Sequence, residues 1–359
     1  MANIAIIIDS IAGGGAEKVM LTLTNALLKQ QHNVVIFSLK ELVAYNLDNS
    51  IRVVFPLKGQ SLRGWRKRHQ QALEVKQLFK KLESEIGRFD LVLVNLFEAM
   101  KVAQVCNFPN SYYIIHRDIK SELSREWKLG PLKYFYMRKV LKQLQGKHLI
   151  TVSNQLVDNI HASSLFTPAS VNCIYNPIDL DEISALSKET LSEYPKNFIL
   201  HVGRAAKAKR HDVLFQSLKY MQKDVVLVCL AERTRKLEKL AKKYNVSDKV
   251  VLPGFQQNPY AWMARAKAVV LSSDFEGLPT VLIEAIACHT RVVSTDCPTG
   301  PNEILTGDLA KYLVEMDNPK ALGEAINNAL KNDLVLNDAD ILKQVLPEQV
   351  SKQYLALIQ

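Results

Sequence analysis

One pattern, repeated along the chain, limits what this sequence can fold into. Short apolar runs alternate with polar or glycine-rich turns and with stretches of helical spacing. The first series opens with Ile4–Ile8, then Ala12-Gly13-Gly14-Gly15, then a helical pattern through Val19, Leu23, Ala26 and Leu27, then Val34–Leu39. Leu91–Asn95, Tyr112–His116 and His148–Ser153 continue it. Strand, glycine loop, helix, strand is the opening of a parallel α/β sheet. After Asn176-Pro177-Ile178-Asp179 and a polar stretch to Pro195 the pattern restarts. Strands are predicted at Phe198–Val202, Val225–Cys229, Val250–Leu252, Ala268–Ser272 and Arg291–Ser294. The helices between them are predicted at 212–220, 233–244, 260–266 and 280–288. A second α/β unit of similar size therefore begins near residue 195. Ligands of such folds bind outside the carboxyl ends of the strands.

Composition removes several classes. The 359 residues are 48% hydrophobic and 23% charged, the balance of a globular protein. No segment approaches the roughly 18–20 apolar residues of a membrane span. The run Ile4–Ile8 ends at Asp9 and follows no basic segment, so it reads as a buried strand and not a signal peptide. Five cysteines without a CxxC indicate neither a disulfide framework nor a zinc ribbon and suit a reduced, cytoplasmic protein. The net charge of +10 is uneven: residues 58–88 and 117–147 each hold nine basic and three acidic residues, and the remainder is slightly acidic. Such a stripe either attracts an anionic surface or is a pair of solvated helix faces.

Three segments carry chemistry. Gly13-Gly14-Gly15-Ala16-Glu17-Lys18 follows the first strand, where backbone N–H groups can approach a phosphate at a helix N-terminus. It fails as a dinucleotide fingerprint, because Lys18 stands where GxGxxG needs glycine, and it reads equally as a structural turn. Gly203-Arg204 with Lys209 follows a strand, placing two cations where a leaving diphosphate gathers charge; the alternative is a basic surface loop. The third, Asp274-Phe275-Glu276-Gly277-Leu278-Pro279-Thr280 through Glu284, is the most specific. Pro279 suits a first helical position, which leaves N–H groups around Leu278, Thr280 and Val281 free to hold phosphate. Glu276 and Glu284 are spaced to take hydroxyls at two ends of a nucleotide sugar; the alternative is an acid favouring the helix dipole plus a surface glutamate, though an unpaired Glu284 in an apolar helix is costly.

The ordered set Gly14-Gly15-Ala16-Glu17, His116, Gly203-Arg204 with Lys209, and Glu276-Gly277-Leu278-Pro279 through Glu284 resembles glycosyltransferase family 4, the retaining nucleotide-sugar transferases of GT-B architecture. Asn176-Pro177-Ile178-Asp179 and Pro298-Thr299-Gly300-Pro301-Asn302-Glu303-Ile304 are similar to members that build bacterial surface polysaccharides. The resemblance spans nearly the whole chain and departs at Arg210, where many members have glycine. It implies an α/β GT-B fold of two Rossmann-like parallel-sheet domains. Residues 1–178 plus a returning 340–359 would bind acceptor, and 179–339 would bind the nucleotide sugar. His116, Arg204, Lys209 and Glu276 would be catalytic. Gly14, Gly15, Gly203, Phe255, Phe275, Gly277, Leu278, Thr280 and Glu284 would bind donor, with Gly15 at the distal phosphate, Glu276 on the sugar and Glu284 on the ribose.

The implied reaction moves a hexosyl or N-acetylhexosaminyl group from a UDP-sugar to a hydroxyl of a lipid-linked or lipopolysaccharide glycan, with the anomeric configuration retained. No double-displacement nucleophile stands out, so same-face attack is expected, with the leaving diphosphate accepting the acceptor proton. The two Asp-x-Asp matches, Asp179-Leu180-Asp181 and Asp338-Ala339-Asp340, lack a strand-end context, so no metal or cofactor is expected. A sugar-nucleotide epimerase of the same fold and a non-catalytic sugar-nucleotide-binding module are the competing readings. No nucleic-acid motif accompanies the basic stripe. Trp65 among Arg63, Arg66, Lys67 and Arg68 reads as an interfacial anchor, which predicts peripheral attachment to the inner membrane face with residues 58–70 contributing most. The stripe Leu132, Tyr136, Val140 and Leu144 reads as core more than lipid contact.

Overall fold

The computed structural model describes the chain except residues 13, 46, 58, 60–64, 332–338 and 359, and excepting the side chains of Trp65 and Arg66. The chain divides into two compact units, Met1–Ile178 with Val345–Gln359, and Asp179–Gln344. The first holds seven parallel strands among the described residues: β1 (Asn3–Ile8), β2 (Asn33–Ser38), β3 (Arg52–Val54), β4 (Leu91–Asn95), β5 (Ser111–Ile115), β6 (His148–Thr151) and β7 (Ser170–Cys173). Their order is β3-β2-β1-β4-β5-β6-β7. Ile4 through Ile8 are fully buried, as expected of a strand covered by helices on both faces. One face carries a ring cluster of Phe37, Phe79, Phe89 and Phe108.

The second unit repeats the scheme with β8 (Phe198–Val202), β9 (Val226–Leu230), β10 (Val250–Gly254), β11 (Ala268–Leu271), β12 (Arg291–Thr295) and β13 (Leu313–Val314), in the order β10-β9-β8-β11-β12-β13. In both sheets the order reverses beside the first strand, between β1 and β4 and between β8 and β11. At a reversal the loops leaving neighbouring strands run to opposite faces, and the crevice they leave is where such sheets take ligands.

Three short strands, β3, β7 and β13, were not among those the sequence predicts. They are two to four residues long and largely half-buried, so they carry no apolar run. The boundary expected at residue 340 lies at 344 instead. The helix Asp340–Gln344 belongs to the second unit, where Ile341 is buried and the helix packs against Thr280–Ala287. The chain joins the first unit at Val345, whose carbonyl accepts from the Ile178 N–H. The helix Pro347–Leu355 then lies against Gly15–Lys29, with Val350 and Tyr354 buried. Gln30 Nε2 donates to Ser351 Oγ at 2.6 Å and Tyr112 Oη to the Leu357 carbonyl at 3.3 Å. Tyr354 is one of the largest fully buried side chains. Tyr354→Ala is expected to cost about 3–5 kcal/mol, read as a lower urea midpoint for the first unit's unfolding.

Candidate functional site

At the reversal of the second sheet, the turn after β8 meets the loop after β11. The turn runs through Gly203 and the short 3-10 stretch Lys207–Lys209. A Cβ on Gly203 would press on His201 Nε2 at 3.2 Å and on the Lys209 stem at 3.4 Å, so glycine lets the Lys209 side chain cross the turn. His201 beneath it is fully buried; its Nδ1 lies 2.9 Å from the Val270 carbonyl, and burial holds its pKa well below the ordinary value. That proton on Nδ1 leaves Nε2 as the bare nitrogen under Gly203. Lys209 Nζ donates to Glu276 Oε1 at 2.6 Å, the two side chains being 21% and 15% exposed. Two residues expected to touch different parts of a donor are thus brought into direct contact. Arg204 lies on the exposed side of the turn, with no side-chain partner among the described residues.

The loop Asp274–Pro279 is held from two sides. The Asp274 N–H donates to the Ala208 carbonyl at 2.8 Å, and Ser272 Oγ donates to the Lys209 carbonyl at 2.8 Å. From the other side Thr299 Oγ1 donates to the Glu276 carbonyl. Gly300 sits at φ +92, and a Cβ there would meet Pro279 Cδ at 2.5 Å and the Gly277 carbonyl at 2.6 Å. Pro279 stands one position before the helix and not inside it: its ψ of 86° is non-helical, and the helix begins at Thr280. The N–H groups of Thr280 and Val281, in the first turn, find no acceptor among the described residues. Gly277 and Leu278 are buried, Phe275 and Glu284 half-buried, and Phe255, just after β10, is 67% exposed.

In the first unit, Gly14 caps the helix Gly15–Lys29, and the Glu17 carboxylate folds back over the Gly14 Cα. Gly15 has open space around its Cα. Asp9 accepts from the N–H groups of Glu98 and Ala99, which ties the turn after β1 to the helix after β4; burial nevertheless pushes its carboxyl up to about 6. His116 Nε2 lies 2.5 Å from Asn95 Oδ1, and Asn95 Nδ2 donates to the Ala16 carbonyl at 3.4 Å. That chain of donors places the His116 proton on Nε2 and leaves Nδ1 with a lone pair. Desolvation, with Arg117 adding repulsion, pushes the His116 pKa down to about 4.

Residues 13–182 match the family model Glycosyltransferase Family 4, and residues 182–344 match Glycosyl transferases group 1. The chain belongs to the family 4-like glycosyltransferases. This glycosyltransferase is 29% identical over 360 residues to the N-acetylgalactosamine-N,N'-diacetylbacillosaminyl-diphospho-undecaprenol 4-alpha-N-acetylgalactosaminyltransferase of Campylobacter jejuni, covering 93% of this chain and 91% of that one. In fold it is similar to sucrose-phosphate synthase from Thermosynechococcus elongatus, with a TM-score of 0.72 at 19% identity over 100% of this chain and 95% of that one. It is also similar to HepE from Anabaena in complex with UDP and glucose, with a TM-score of 0.68 at 17% identity over 100% and 98%. The expected GT-B architecture is thereby established.

Of the basic segment, Arg63 and the side chains of Trp65 and Arg66 lie outside what the structure describes; Lys67 is exposed, and Arg68 donates to Tyr136 Oη at 3.0 Å. The stripe on Pro131–Lys142 and the turn after it divides. Met137, Val140, Leu141 and Leu144 are core, whereas Leu132 is 86% exposed and Phe135 and Tyr136 are exposed beside it. Trp127 and Leu129 on the neighbouring helix-and-turn are exposed too, and Trp127 stacks edge-on against Tyr134. Among the described residues no helix is long and apolar enough to cross a membrane. Of the two Asp-x-Asp matches, Asp179 caps the helix Leu180–Ser187 by accepting from the Glu182 N–H, and Asp338 is outside the described residues. Asp9, Asn95 and Thr299 escaped the sequence reading. Asp9 and Asn95 each carried a signal as the polar end of an apolar run, and Thr299 as part of the Pro298–Ile304 segment.

A neutral His116 fixes a sign for pH. Between pH 6.5 and about 4 the unfolded chain takes a proton on this ring and the folded chain does not, so its contribution to stability falls as pH falls. The stability advantage of the wild type over His116→Gln should therefore shrink from pH 7 to pH 4.5, as urea midpoints at the two values will show.

Proposed function

We propose that this glycosyltransferase moves a hexosyl or N-acetylhexosaminyl group from a UDP-sugar to a hydroxyl of a lipid-linked or lipopolysaccharide glycan, with retention and without a metal. The observation that carries the reading is the Lys209–Glu276 pair beside the unpaired N–H groups of Thr280 and Val281. A cation, a carboxylate and open amides at one sheet reversal suit a diphosphate joined to a sugar. The Campylobacter relative, whose name describes N-acetylgalactosaminyl transfer to a diphospho-undecaprenol-linked sugar, supports the acceptor class.

In this reading Lys209 and the exposed Arg204 take up the negative charge that grows on the diphosphate as the glycosidic bond breaks. Glu276 and its neighbours Phe275 and Gly277 hold the sugar, Glu284 the ribose and Phe255 the base. The acceptor hydroxyl attacks the anomeric carbon on the face the diphosphate leaves, and its proton passes to the departing phosphate oxygen. Fixed charge at a developing anion is typically worth about 3–4 kcal/mol, or roughly 100–1000-fold in rate. Lys209→Ala should lose transfer by that factor and Glu276→Ala most of its transfer, each keeping the wild-type circular dichroism spectrum, across a panel of UDP-, GDP- and ADP-sugars. Undiminished turnover in both variants rejects the site. Conversion of donor to an epimer without acceptor rejects transfer.

The acceptor reading brings in a surface. Trp127, Leu129, Leu132 and Phe135 are exposed amid exposed Lys128, Lys133, Arg138 and Lys139. Apolar side chains ringed by cations suit an anionic bilayer, where each basic residue adds on the order of 1 kcal/mol. We therefore assign peripheral attachment at the cytoplasmic leaflet to this patch together with 58–70. Sedimentation with vesicles of neutral lipid plus phosphatidylglycerol should carry the protein down at low salt and release it at high salt. Leu132→Glu with Phe135→Glu should abolish it, and equal binding to purely neutral vesicles would contradict the assignment.

A further inference from the structure

Arg210 is held in a way its neighbours are not. It stands at φ +45, ψ +47, the left-handed region that glycine occupies without cost and a long side chain avoids. Its guanidinium meets three carboxylates. Nε and Nη2 donate to the two oxygens of Asp212 at 3.0 Å each, and Nη1 lies 2.6 Å from Asp274 Oδ1 and 2.5 Å from Asp317 Oδ1. These bonds raise its already high pKa further, Asp212 contributing most. Asp212 opens the helix after β8, Asp274 lies in the loop after β11, and Asp317 follows β13, itself at φ +58. One planar fork thus ties together three strand-end loops, which a lysine's single ammonium could not do with the same geometry.

The clamp brackets the site. Arg210 follows Lys209 directly, and Asp274 precedes Glu276 by two residues. It also sets the local charge: without Arg210, three carboxylates would stand uncompensated beside the place assigned to a diphosphate.

We propose that Arg210 is a positioning residue for the donor: it fixes the spacing of Lys209 and Glu276 and cancels Asp274 where the diphosphate binds. This rests on the donor-site reading above. The test measures UDP affinity by titration calorimetry and melting temperature for the wild type, Arg210→Gly, Arg210→Lys, Asp274→Asn, the Arg210→Gly/Asp274→Asn double variant and Lys209→Ala. Glycine accepts the left-handed backbone, so Arg210→Gly should melt close to the wild type yet bind UDP on the order of tenfold more weakly, as expected for coupled neighbours. Arg210→Lys should fall between them and carries the test should the glycine variant not fold. The double variant should be no weaker than Arg210→Gly alone, because both changes remove one contact; a role in folding alone would move melting and leave UDP affinity in place. Additive losses, or wild-type UDP affinity in Arg210→Gly while Lys209→Ala has lost it, overturn the clamp. Wild-type affinity in Lys209→Ala overturns the donor site itself, a separate result.

Discussion

The ion pair between Lys209 and Glu276 is the contact around which the candidate site is arranged. It can form because β8 and β11 are neighbours at the point where the sheet order reverses, so the turn after one faces the loop after the other. Two charges held partly out of water at this spacing satisfy each other within a fixed frame. The frame is supplied locally. Gly203 makes room for the Lys209 stem, Thr299 and Gly300 press the Glu276–Pro279 loop from behind, and Arg210 joins the two sides. A ligand that offers its own anion and hydroxyls can take over both partners of a pair already set at the right spacing, which limits the reorganisation that binding requires.

The fold was largely legible because both sheets are parallel and buried on both faces. That arrangement writes strands as continuous apolar runs such as Ile4–Ile8 and Leu91–Val94, set off by glycine and helical spacing. Three edge strands, β3, β7 and β13, are not written that way; Ser170–Cys173 mixes polar and apolar residues because only part of it is covered. The candidate site was legible as motifs but not as contacts. Nothing in the spacing of Lys209 and Glu276 says they touch, since 67 residues separate them and the pairing depends on strand order. Gly300 could be read as part of a motif, yet its reason, a backbone packed on Pro279 and Gly277, is tertiary. Arg210 read as a departure from a glycine position, and the structure supplies the left-handed backbone that explains why glycine suits it.

The first unit follows a different economy. Its sheet reversal is laced by hydrogen bonds to neutral or protonatable groups, Asp9 on the helix after β4 and Asn95 on His116. On its surface basic residues surround an apolar patch that includes Leu132 and Tyr136, which helical spacing alone assigned to the core. Spacing tells which residues share a helical stripe. It cannot tell how far along the helix the neighbouring element reaches, and here cover ends between Met137 and Tyr136.

The central claim is that the loops carrying Lys209, Glu276 and Thr280 bind the diphosphate of a nucleotide sugar. A crystal structure with UDP tests this most directly. The account predicts diphosphate oxygens within hydrogen-bond distance of Lys209 Nζ and of the Thr280 and Val281 N–H groups. UDP bound with its diphosphate away from this sheet reversal, and the Lys209–Glu276 pair undisturbed, would contradict it.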